Sequence, residues 1–244
     1  MGVMKKQLRL YVRQHCTLCE QMYRELLECS ERLGIEVQGV DIDDDPLLRA
    51  QFDHKVPVLA DGDTGYGNAL NMRRTVQEYE QAGAQAIQIE DQEMPKKCGH
   101  TPGKRLIDAH EMALKIEAAA HSRRSDNFVL IARTDAIAVN GLEDAIERGK
   151  LYEKAGADVV FLEAPTTVEE LKAAAGSFGV PTMANLIEGG KTPFLSAAEL
   201  EELGFRIAAY PHSLILTCIR SIQKTLAVLK EHGTTKSVVD QMAD

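Results

Sequence analysis

The chain has 244 residues, of which 44% are hydrophobic and 27% charged, as is ordinary for a globular protein. That length suits one large α/β domain or two small ones. The net charge of −9 disfavours general binding to nucleic acid or to an anionic membrane surface. No apolar run approaches the roughly 20 residues that span a bilayer, and the N-terminal stretch MGVMKKQLRLYV is too short in apolar residues for a secretory signal. Five cysteines without framework spacing fit a reducing cytoplasm, which is the expected location.

The first sixty residues predict two strand–helix units. Residues 8–12 (LRLYV) have the pattern of a short strand, and a Cys-Thr-Leu-Cys motif follows at 16–19. A helix is predicted from there to about Leu33, because its apolar residues recur at spacings of three and four. A second strand is predicted at 35–42, and Val56-Pro57 follows a short helix.

This opening resembles the glutaredoxin-like branch of the thioredoxin superfamily over about residues 6–60. The resemblance implies a thiol–disulfide site in which Cys16 is the nucleophile, stabilised as a thiolate by the helix dipole, and Cys19 resolves the mixed disulfide. A zinc site that includes both thiols, or two inherited thiols without a present task, are the alternatives. The hairpin and last helix of a glutaredoxin do not follow, so this segment is not expected to close a sheet of its own.

From residue 56 onward six predicted strands alternate with six predicted helices. The strands are short and almost entirely apolar, as parallel strands buried on both faces are. Strands are predicted at 56–61, 86–91, 129–133, 159–163, 182–186 and 205–209, and helices at 69–82, 104–121, 141–155, 167–175, 196–203 and 212–231. Together with the two upstream units they make eight, the number that closes a (βα)8 TIM-like barrel. An open parallel α/β sheet is the alternative fold.

The chain is therefore expected to be a single α/β barrel domain over 1–244. Its first two βα units, residues 1–59, are expected to be thioredoxin-like, and residues 60–244 supply the other six. The join falls within Val56–Leu59, where the character of the sequence changes.

Polar residues stand at the ends of five successive predicted strands, where (βα)8 enzymes carry their catalytic groups. They are Asp61, Asp63, Glu90, Asp91, Arg133, Asp135, Glu163, Asn185 and Glu188. Hard carboxylate oxygens grouped in this way suit Mg²⁺ or Mn²⁺. The second of these strands leads into a loop with Lys96, Lys97, Cys98 and His100. Two lysines, a thiol and an imidazole beside carboxylates indicate a divalent-metal site for an anionic substrate.

The motifs DGDTGYG, IEDQ, PKKCGH, ARTDA and NLIEGGKTP resemble, in that order, the isocitrate lyase and phosphoenolpyruvate mutase superfamily over about residues 56–235. The KKCGH form is similar to that of its C–C lyases, the 2-methylisocitrate lyases among them. The resemblance implies that Asp61, Asp63 and Glu90 hold Mg²⁺, directly or through water.

The same resemblance implies roles for the loop and for the later strand ends. Cys98 would protonate the enolate that C–C cleavage leaves, and a thiol beside lysines can transfer a proton near neutral pH. The further implied roles are an electrostatic setting for Cys98 from Lys96, Lys97 and His100, and a substrate carboxylate site at Arg133 with Glu163 and Asn185 nearby. The implied function is a Mg²⁺-dependent lyase that cleaves a small 2-hydroxy di- or tricarboxylate to an α-keto acid, as a homo-oligomer.

The upstream part departs from that family. Family members carry a Ser-Gly-Gly-type loop after their second strand, whereas this sequence has three consecutive acids at 43–45, which would repel a dicarboxylate. The family also continues with a further helix after the segment that ends here at Asp244. The sequence therefore predicts a hybrid with impaired activity. A hybrid fold without efficient catalysis and a thiol–disulfide oxidoreductase using Cys16 and Cys19 are the alternative functions.

Overall fold

The structure is a computed structural model that describes residues 6–12, 27, 35–41 and 59–242. The chain divides into two units, Met1–Val58 and Leu59–Asp244. In the first unit, strands β1 (Lys6–Val12) and β2 (Ile35–Asp41) pair in parallel, with Lys6 opposite Ile35. Both strands were predicted. Parallel pairing is common to many α/β folds, so it does not distinguish a glutaredoxin-like unit from the opening of a barrel.

In the second unit all paired strands run parallel and follow chain order. A four-stranded sheet has the order β3-β4-β5-β6, and β7 pairs with β8. A parallel bridge between Val160 and Thr182 joins the last strand of the first sheet to the residue before β7. The strands are β3 (Leu59–Asp61), β4 (Ala86–Glu90), β5 (Val129–Thr134), β6 (Val159–Leu162), β7 (Met183–Asn185) and β8 (Ile207–Ala209). This is the parallel α/β arrangement predicted from the apolar runs.

Helices connect these strands, and polar residues cap the first turn of several. The helices are α1 (Ala69–Gln81), α2 (Ala109–Ser122), α3 (Ile137–Asn140), α4 (Leu142–Lys154), α5 (Val168–Gly176), α6 (Ala197–Leu203), α7 (Ser213–His232) and a 3-10 helix at Lys236–Gln241. Side-chain oxygens of Asn68, Asp108, Thr167 and Ser196 accept backbone N–H groups at the starts of α1, α2, α5 and α6. Within residues 6–12, 27, 35–41 and 59–242, no helix is both long and apolar enough to cross a membrane.

The predicted start of the second long helix at residue 104 was wrong. Helix α2 begins at Ala109, because Asp108 caps it and residues 103–108 are not helical. Glu93 donates its N–H to the carbonyl of Arg105 at 2.8 Å, and Ile107 donates to the carbonyl of Asp91 at 2.9 Å. The segment before α2 is therefore fastened to the end of β4 instead of being helical.

The core lies between the strands and the helices on their faces. One apolar cluster includes Met72, Ile87, Ile116 and Tyr152, all with no exposed surface. A second includes Leu162, Leu171, Leu186, Leu200 and Phe205. At the carboxyl ends of the strands this apolar filling gives way to buried charge, since Glu90, Arg133 and Glu163 are at most 8% exposed. That change marks the candidate site.

Candidate active site

The turn after β3 brings two carboxylates beside the end of β4. Gly62 donates its N–H to the carbonyl of Gln88, and Glu90 donates its N–H to the carbonyl of Asp63, both at 2.8 Å. The N–H of Asp63 donates to Asp61 Oδ1 at 2.9 Å. The backbone thus aligns Asp61 and Asp63 with Glu90, as the strand-end pattern predicts.

Glu90 is a buried carboxylate without a hydrogen-bond donor. It has no exposed surface, and neither of its oxygens accepts a hydrogen bond from the described residues. Burial raises the pKa of Glu90 to about 7, although the positive charges of Arg133 and Lys96 oppose that rise. Buried acceptors that lack donors mark a place where a cation is accommodated.

The ammonium of Lys96 lies among the three carboxylates. Its Nζ is 2.7 Å from Asp63 Oδ1, and 3.7 Å from both Asp61 Oδ2 and Glu90 Oε2. Partial burial lowers the pKa of Lys96, but the hydrogen bond to Asp63 and the charge of Glu90 raise it above its ordinary value. The Lys96 ammonium is therefore the positive charge at the point that the three carboxylates share.

The three carboxylates can be compared with the ligands that a divalent metal ion needs. Among the residues that the structure describes, no group of three or more His, Cys, Asp or Glu side chains is arranged to hold a metal ion as it stands. The carboxylates are of the hard oxygen type that Mg²⁺ and Mn²⁺ prefer. The chemistry of the donor set therefore suits such an ion, although the three carboxylates are not arranged around a common metal position in this structure.

Arg133, at the end of β5, forms the centre of a second charged group. Its Nε and Nη2 donate to the two oxygens of Asp135 at 2.9 and 3.1 Å. It also lies 3.4 Å from Glu90 Oε2 and 3.4 Å from Glu163 Oε1. Burial lowers the pKa of Arg133, but the charges of Glu163 and Asp135 outweigh burial, so the guanidinium stays charged. Asp135 occupies two of its five N–H donors, which leaves three for other acceptors.

The loop between β4 and α2 closes over this group. Gln92 forms two hydrogen bonds to the backbone of the loop. Its Nε2 donates to the carbonyl of Lys97 at 2.8 Å, and its side-chain oxygen accepts the Lys97 N–H at 3.0 Å. Thr101 donates its N–H to the carbonyl of Cys98 at 2.9 Å, and the Cys98 thiol is free and exposed. Lys97 forms no ion pair with any of the described residues, in contrast to Lys96.

Gly99 lies directly against the charged group. A Cβ added at Gly99 would be 2.1 Å from Glu163 Oε1 and 2.5 Å from Arg133 Nη2, distances that real Cβ atoms do not show. Only glycine allows the backbone to approach so closely. The need for glycine at position 99 could not be predicted from the sequence, because nothing local shows that Glu163 and Arg133 approach its backbone.

His100 links the loop to the loop after β7. Its Nδ1 accepts the N–H of Lys191 at 3.0 Å, so the ring proton of the neutral form sits on Nε2, which is 3.4 Å from Glu163 Oε1. Burial lowers the pKa of His100, which favours that neutral form, although the charge of Glu163 opposes it. Asn185 Nδ2 donates to Glu163 Oε2 at 3.3 Å from the other side. The predicted residues His100, Glu163 and Asn185 therefore meet at one place.

Lys104 is a site residue that the sequence pattern missed. Its side chain is 1% exposed, and Nζ lies 3.1 Å from Asp135 Oδ1 and donates to the carbonyl of Gly99. The sequence predicts a helix that begins at about this residue and assigns Lys104 no role. A buried lysine just before an N-cap has no periodic signal, so only the fold reveals its position.

Two predicted strand-end acids lie outside this group. Asp91 is fully buried below it, where its carboxylate accepts from Thr134 Oγ1, Tyr152 OH and Arg148 Nη1 at 2.6, 2.7 and 3.2 Å. Glu188 is exposed and accepts a hydrogen bond from the hydroxyl of Ser213. Neither was assigned as a metal ligand, and the structure gives both other partners, since Asp91 faces residues of α4 and Glu188 bonds to the first residue of α7. Cys16 and Cys19 lie outside the described residues.

A cavity of about 230 Å³ adjoins the two charged groups. Its polar lining residues are Asp61, Gln88, Arg133 and Asn185. Its apolar lining includes Ala60, Phe161, Met183 and Ala209. Its size suits a small molecule, and its lining suits one with both carboxylate and alkyl groups.

Comparison with known proteins places this site in a family. The profile of the family described as "Phosphoenolpyruvate phosphomutase" matches residues 46–230, beginning upstream of the predicted join at Val56–Leu59. The chain is 47% identical over 187 residues to a 2,3-dimethylmalate lyase of Eubacterium barkeri, covering 77% of this chain and 65% of that protein. It is 45% identical over 188 residues to a 2-methylisocitrate lyase of Aeropyrum pernix, covering 77% and 60%. The chain thus spans 60 to 65% of the length of these two relatives.

Solved structures give the same result. A crystal structure of 2,3-dimethylmalate lyase, described as a PEP mutase/isocitrate lyase superfamily member, matches with a TM-score of 0.73 and 35% identity, over 81% of this chain and 66% of that one. A phosphonopyruvate hydrolase in complex with oxalate and Mg²⁺ matches with a TM-score of 0.69 and 26% identity, over 98% and 87%. The parallel α/β fold is that of the TIM-barrel-like structures of this superfamily.

Proposed function

This chain belongs to the phosphoenolpyruvate phosphomutase family, and from that membership and its site we propose that it is a divalent-metal-dependent C–C lyase. Its substrate is a small 2-hydroxy di- or tricarboxylate, which it cleaves to an α-keto acid. One observation carries the proposal: three carboxylates from β3, its turn and β4 share one cationic point, beside a buried arginine and beneath a loop with a free thiol.

Asp61, Asp63 and Glu90 would hold the metal ion, Mg²⁺ or Mn²⁺. The donor-free oxygens of Glu90 and the ammonium of Lys96 at the shared point support that assignment. When bound, the ion supplies Lewis-acid stabilisation of the negative charge that develops on the substrate oxygens. The Mg²⁺ complex of the related phosphonopyruvate hydrolase supports the choice of metal.

The chain's own residues bind the substrate and deliver the proton. Arg133 is oriented by Asp135 and keeps three N–H donors for a substrate carboxylate. Asn185 and Glu163 flank that position. Cys98 is the proton donor for the enolate carbon after the C–C bond breaks, since it is the free thiol on the loop that covers the site. The substrate hydroxyl loses its proton as the carbonyl forms, and the exposed thiolate regains a proton from solvent.

Lys96, Lys97 and His100 make up the electrostatic surroundings of Cys98. Both lysines immediately precede Cys98 in the loop and supply positive charge on that side of the site. His100 in its neutral form fastens the loop between Lys191 and Glu163. The loop thereby excludes water from the enolate, which protects it until the proton arrives.

The apolar wall of the cavity favours substrates with alkyl substituents. The relatives are named for 2,3-dimethylmalate and 2-methylisocitrate, and both acids carry a methyl group beside the carbon–carbon bond to be cleaved. Cleavage of either releases pyruvate, together with propionate or succinate. Each acid is therefore a candidate substrate for this chain.

The test is to incubate the full chain with each acid and Mg²⁺ and to follow the products by ¹H NMR. Pyruvate formation that stops with EDTA and resumes on adding Mg²⁺ is the expected result. Absence of pyruvate from both acids would overturn the lyase proposal. Cleavage at a rate far below that of ordinary enzymes would support the predicted impairment by the upstream segment, whose acids at 43–45 lie outside the described residues.

Two further predictions keep their own tests. The homo-oligomer is supported by α7, whose Leu214, Ile222 and Leu226 are 57 to 82% exposed in the single chain. Light scattering would find a monomer if that prediction is wrong.

The glutaredoxin-like interpretation of residues 1–59 predicts glutathione-dependent disulfide reduction that Cys16→Ser abolishes.

A further inference from the structure

Lys115 is a buried lysine that the proposed reaction does not use. It lies on α2 among Met112, Ile116 and Ala119, the residues that face the core, and it is 3% exposed. Its ammonium donates a hydrogen bond to the carbonyl of Thr64. That carbonyl belongs to the turn that carries Asp61 and Asp63.

A charge is expensive in this position. Lys115 forms no ion pair with any residue in the described ranges, and its partner is a neutral backbone carbonyl. Burial lowers the pKa of Lys115, and the charge of Glu111, one turn earlier on the same helix, opposes that shift. A buried ammonium without a carboxylate costs stability, so a leucine or methionine here would serve packing better. The contact with Thr64 is therefore the feature that explains a lysine at this position.

Side chains of two helices form hydrogen bonds to the turn that follows β3, and Lys115 is the one from α2. Thr75 on α1 donates its hydroxyl to the carbonyl of Gly65 at 3.2 Å. Gly65 has a φ of +83°, and a Cβ there would lie 1.9 Å from Met72 Cε. Thr64 is itself 3% exposed, so without Lys115 its carbonyl would be a buried acceptor lacking a donor.

We propose that Lys115 is a positioning residue that sets the divalent-cation affinity of the site by fixing the Thr64 carbonyl. The carbonyl of Asp63, one residue earlier, accepts the N–H of Glu90. Rotation of the turn would therefore break the alignment of the Asp63 carboxylate with Glu90. A preorganised set of ligands binds its ion more tightly than one that must be ordered on binding. This inference rests on the metal assigned in the proposed function.

The experiment measures Mn²⁺ binding by EPR for the full chain and for Lys115→Met. Methionine keeps the unbranched shape but cannot donate to Thr64. The expected result is at least a ten-fold weaker Mn²⁺ affinity in a protein that is still folded at the temperature of the measurement. Ile116→Val is the matched control, because it also removes buried contacts from α2 but leaves Thr64 bonded, and its affinity should stay within two-fold of the wild type.

The outcomes separate this inference from the proposed function. If the wild type binds no Mn²⁺, the metal assignment fails. If the wild type binds Mn²⁺ and Lys115→Met binds it equally well, the positioning role is overturned while the metal assignment stands. If Lys115→Met does not fold, Lys115→Gln takes its place, since glutamine is too short to reach the carbonyl, and unchanged affinity in that variant again overturns the role.

Discussion

The ammonium of Lys96 lies 2.7 Å from Asp63 Oδ1, at the point that the carboxylates of Asp61 and Glu90 also face. This relationship joins the covering loop to the proposed metal ligands. An ammonium and a divalent ion cannot share one point, so binding of the proposed ion would require Lys96 to move. Occupation of the site and the arrangement of the loop around Cys98 are therefore coupled.

Lys96→Gln should bind Mn²⁺ several-fold more tightly than the wild type, because a competing positive charge is removed from among the ligands. The same change should lower turnover, since Cys98 loses a neighbouring cation. Titration followed by EPR gives the affinity. Lys97→Gln is the matched control, as Lys97 has no ion pair within the described part of the chain, and its affinity should change little. Weaker binding in Lys96→Gln would contradict the competition.

Cys98→Ser should reduce kcat by about 10²- to 10⁴-fold, the usual contribution of general acid catalysis. The thiol is exposed, so the melting temperature should not change measurably. Steady-state release of pyruvate measures the effect. Cys218→Ser, which replaces the other free, exposed cysteine among the described residues, should retain full activity. Equal activity of the two variants would remove Cys98 from its assigned role.

Gly99→Ala should disable the site without unfolding the protein. The added methyl would meet Glu163 Oε1 and Arg133 Nη2, so either the loop or these two side chains have to move. A displacement of about 1 Å at a reacting group can cost on the order of 10²-fold in rate, so kcat/KM should fall by at least ten-fold. Gly176→Ala is the control, because its added Cβ meets nothing within 4 Å, and that variant should be fully active. Wild-type kinetics in Gly99→Ala would show that the loop does not lie as described.

Glu90→Gln should stabilise the protein at pH 8 when EDTA is present. The folded pKa of Glu90 is about 7 and the ordinary value is 4.5. Between pH 4.5 and about 7, Glu90 is protonated in the folded state and ionised in the unfolded state. The free energy of unfolding therefore falls as pH rises through this range. The difference corresponds to on the order of 3 kcal/mol at pH 8, at about 1.4 kcal/mol per pKa unit.

Urea unfolding at pH 5 and pH 8 measures this effect. The advantage of Glu90→Gln over the wild type should be large at pH 8 and small at pH 5. The exposed Glu93 gives a control, since Glu93→Gln should stay within about 0.5 kcal/mol of the wild type at both pH values. An advantage that grows toward acid pH would contradict the burial of a carboxylate without hydrogen-bond donors at position 90.

The elements of the second unit could be predicted because parallel strands buried on both faces have short, apolar sequences, as β5 and β6 do. The ends of those strands could be predicted as a site for the same reason, since Glu90, Arg133 and Glu163 interrupt apolar runs. The segment before α2 could not be predicted. Its backbone pairs with residues near the end of β4, and such pairing has no local pattern.

Lys115 and Arg148 were not predicted as buried polar residues, although the sequence contains a pattern that indicates them. Lys115 and Arg148 occupy positions on α2 and α4 that the helical spacing assigns to the buried face, beside Ile116 and Tyr152. A charged residue in an apolar stripe indicates a buried polar partner. The partners themselves, Thr64 for one and Asp91 for the other, lie 51 and 57 residues away in the chain, which only the fold brings together.

The most direct test of the proposed metal site is a crystal of the full chain soaked with Mn²⁺ and measured at the manganese absorption edge. We expect one anomalous peak between the carboxylates of Asp61, Asp63 and Glu90, at direct or water-bridged distance, with the Lys96 ammonium displaced from Asp63. A peak elsewhere, or a Lys96 that keeps its contact with Asp63 while Mn²⁺ supports turnover, would contradict it.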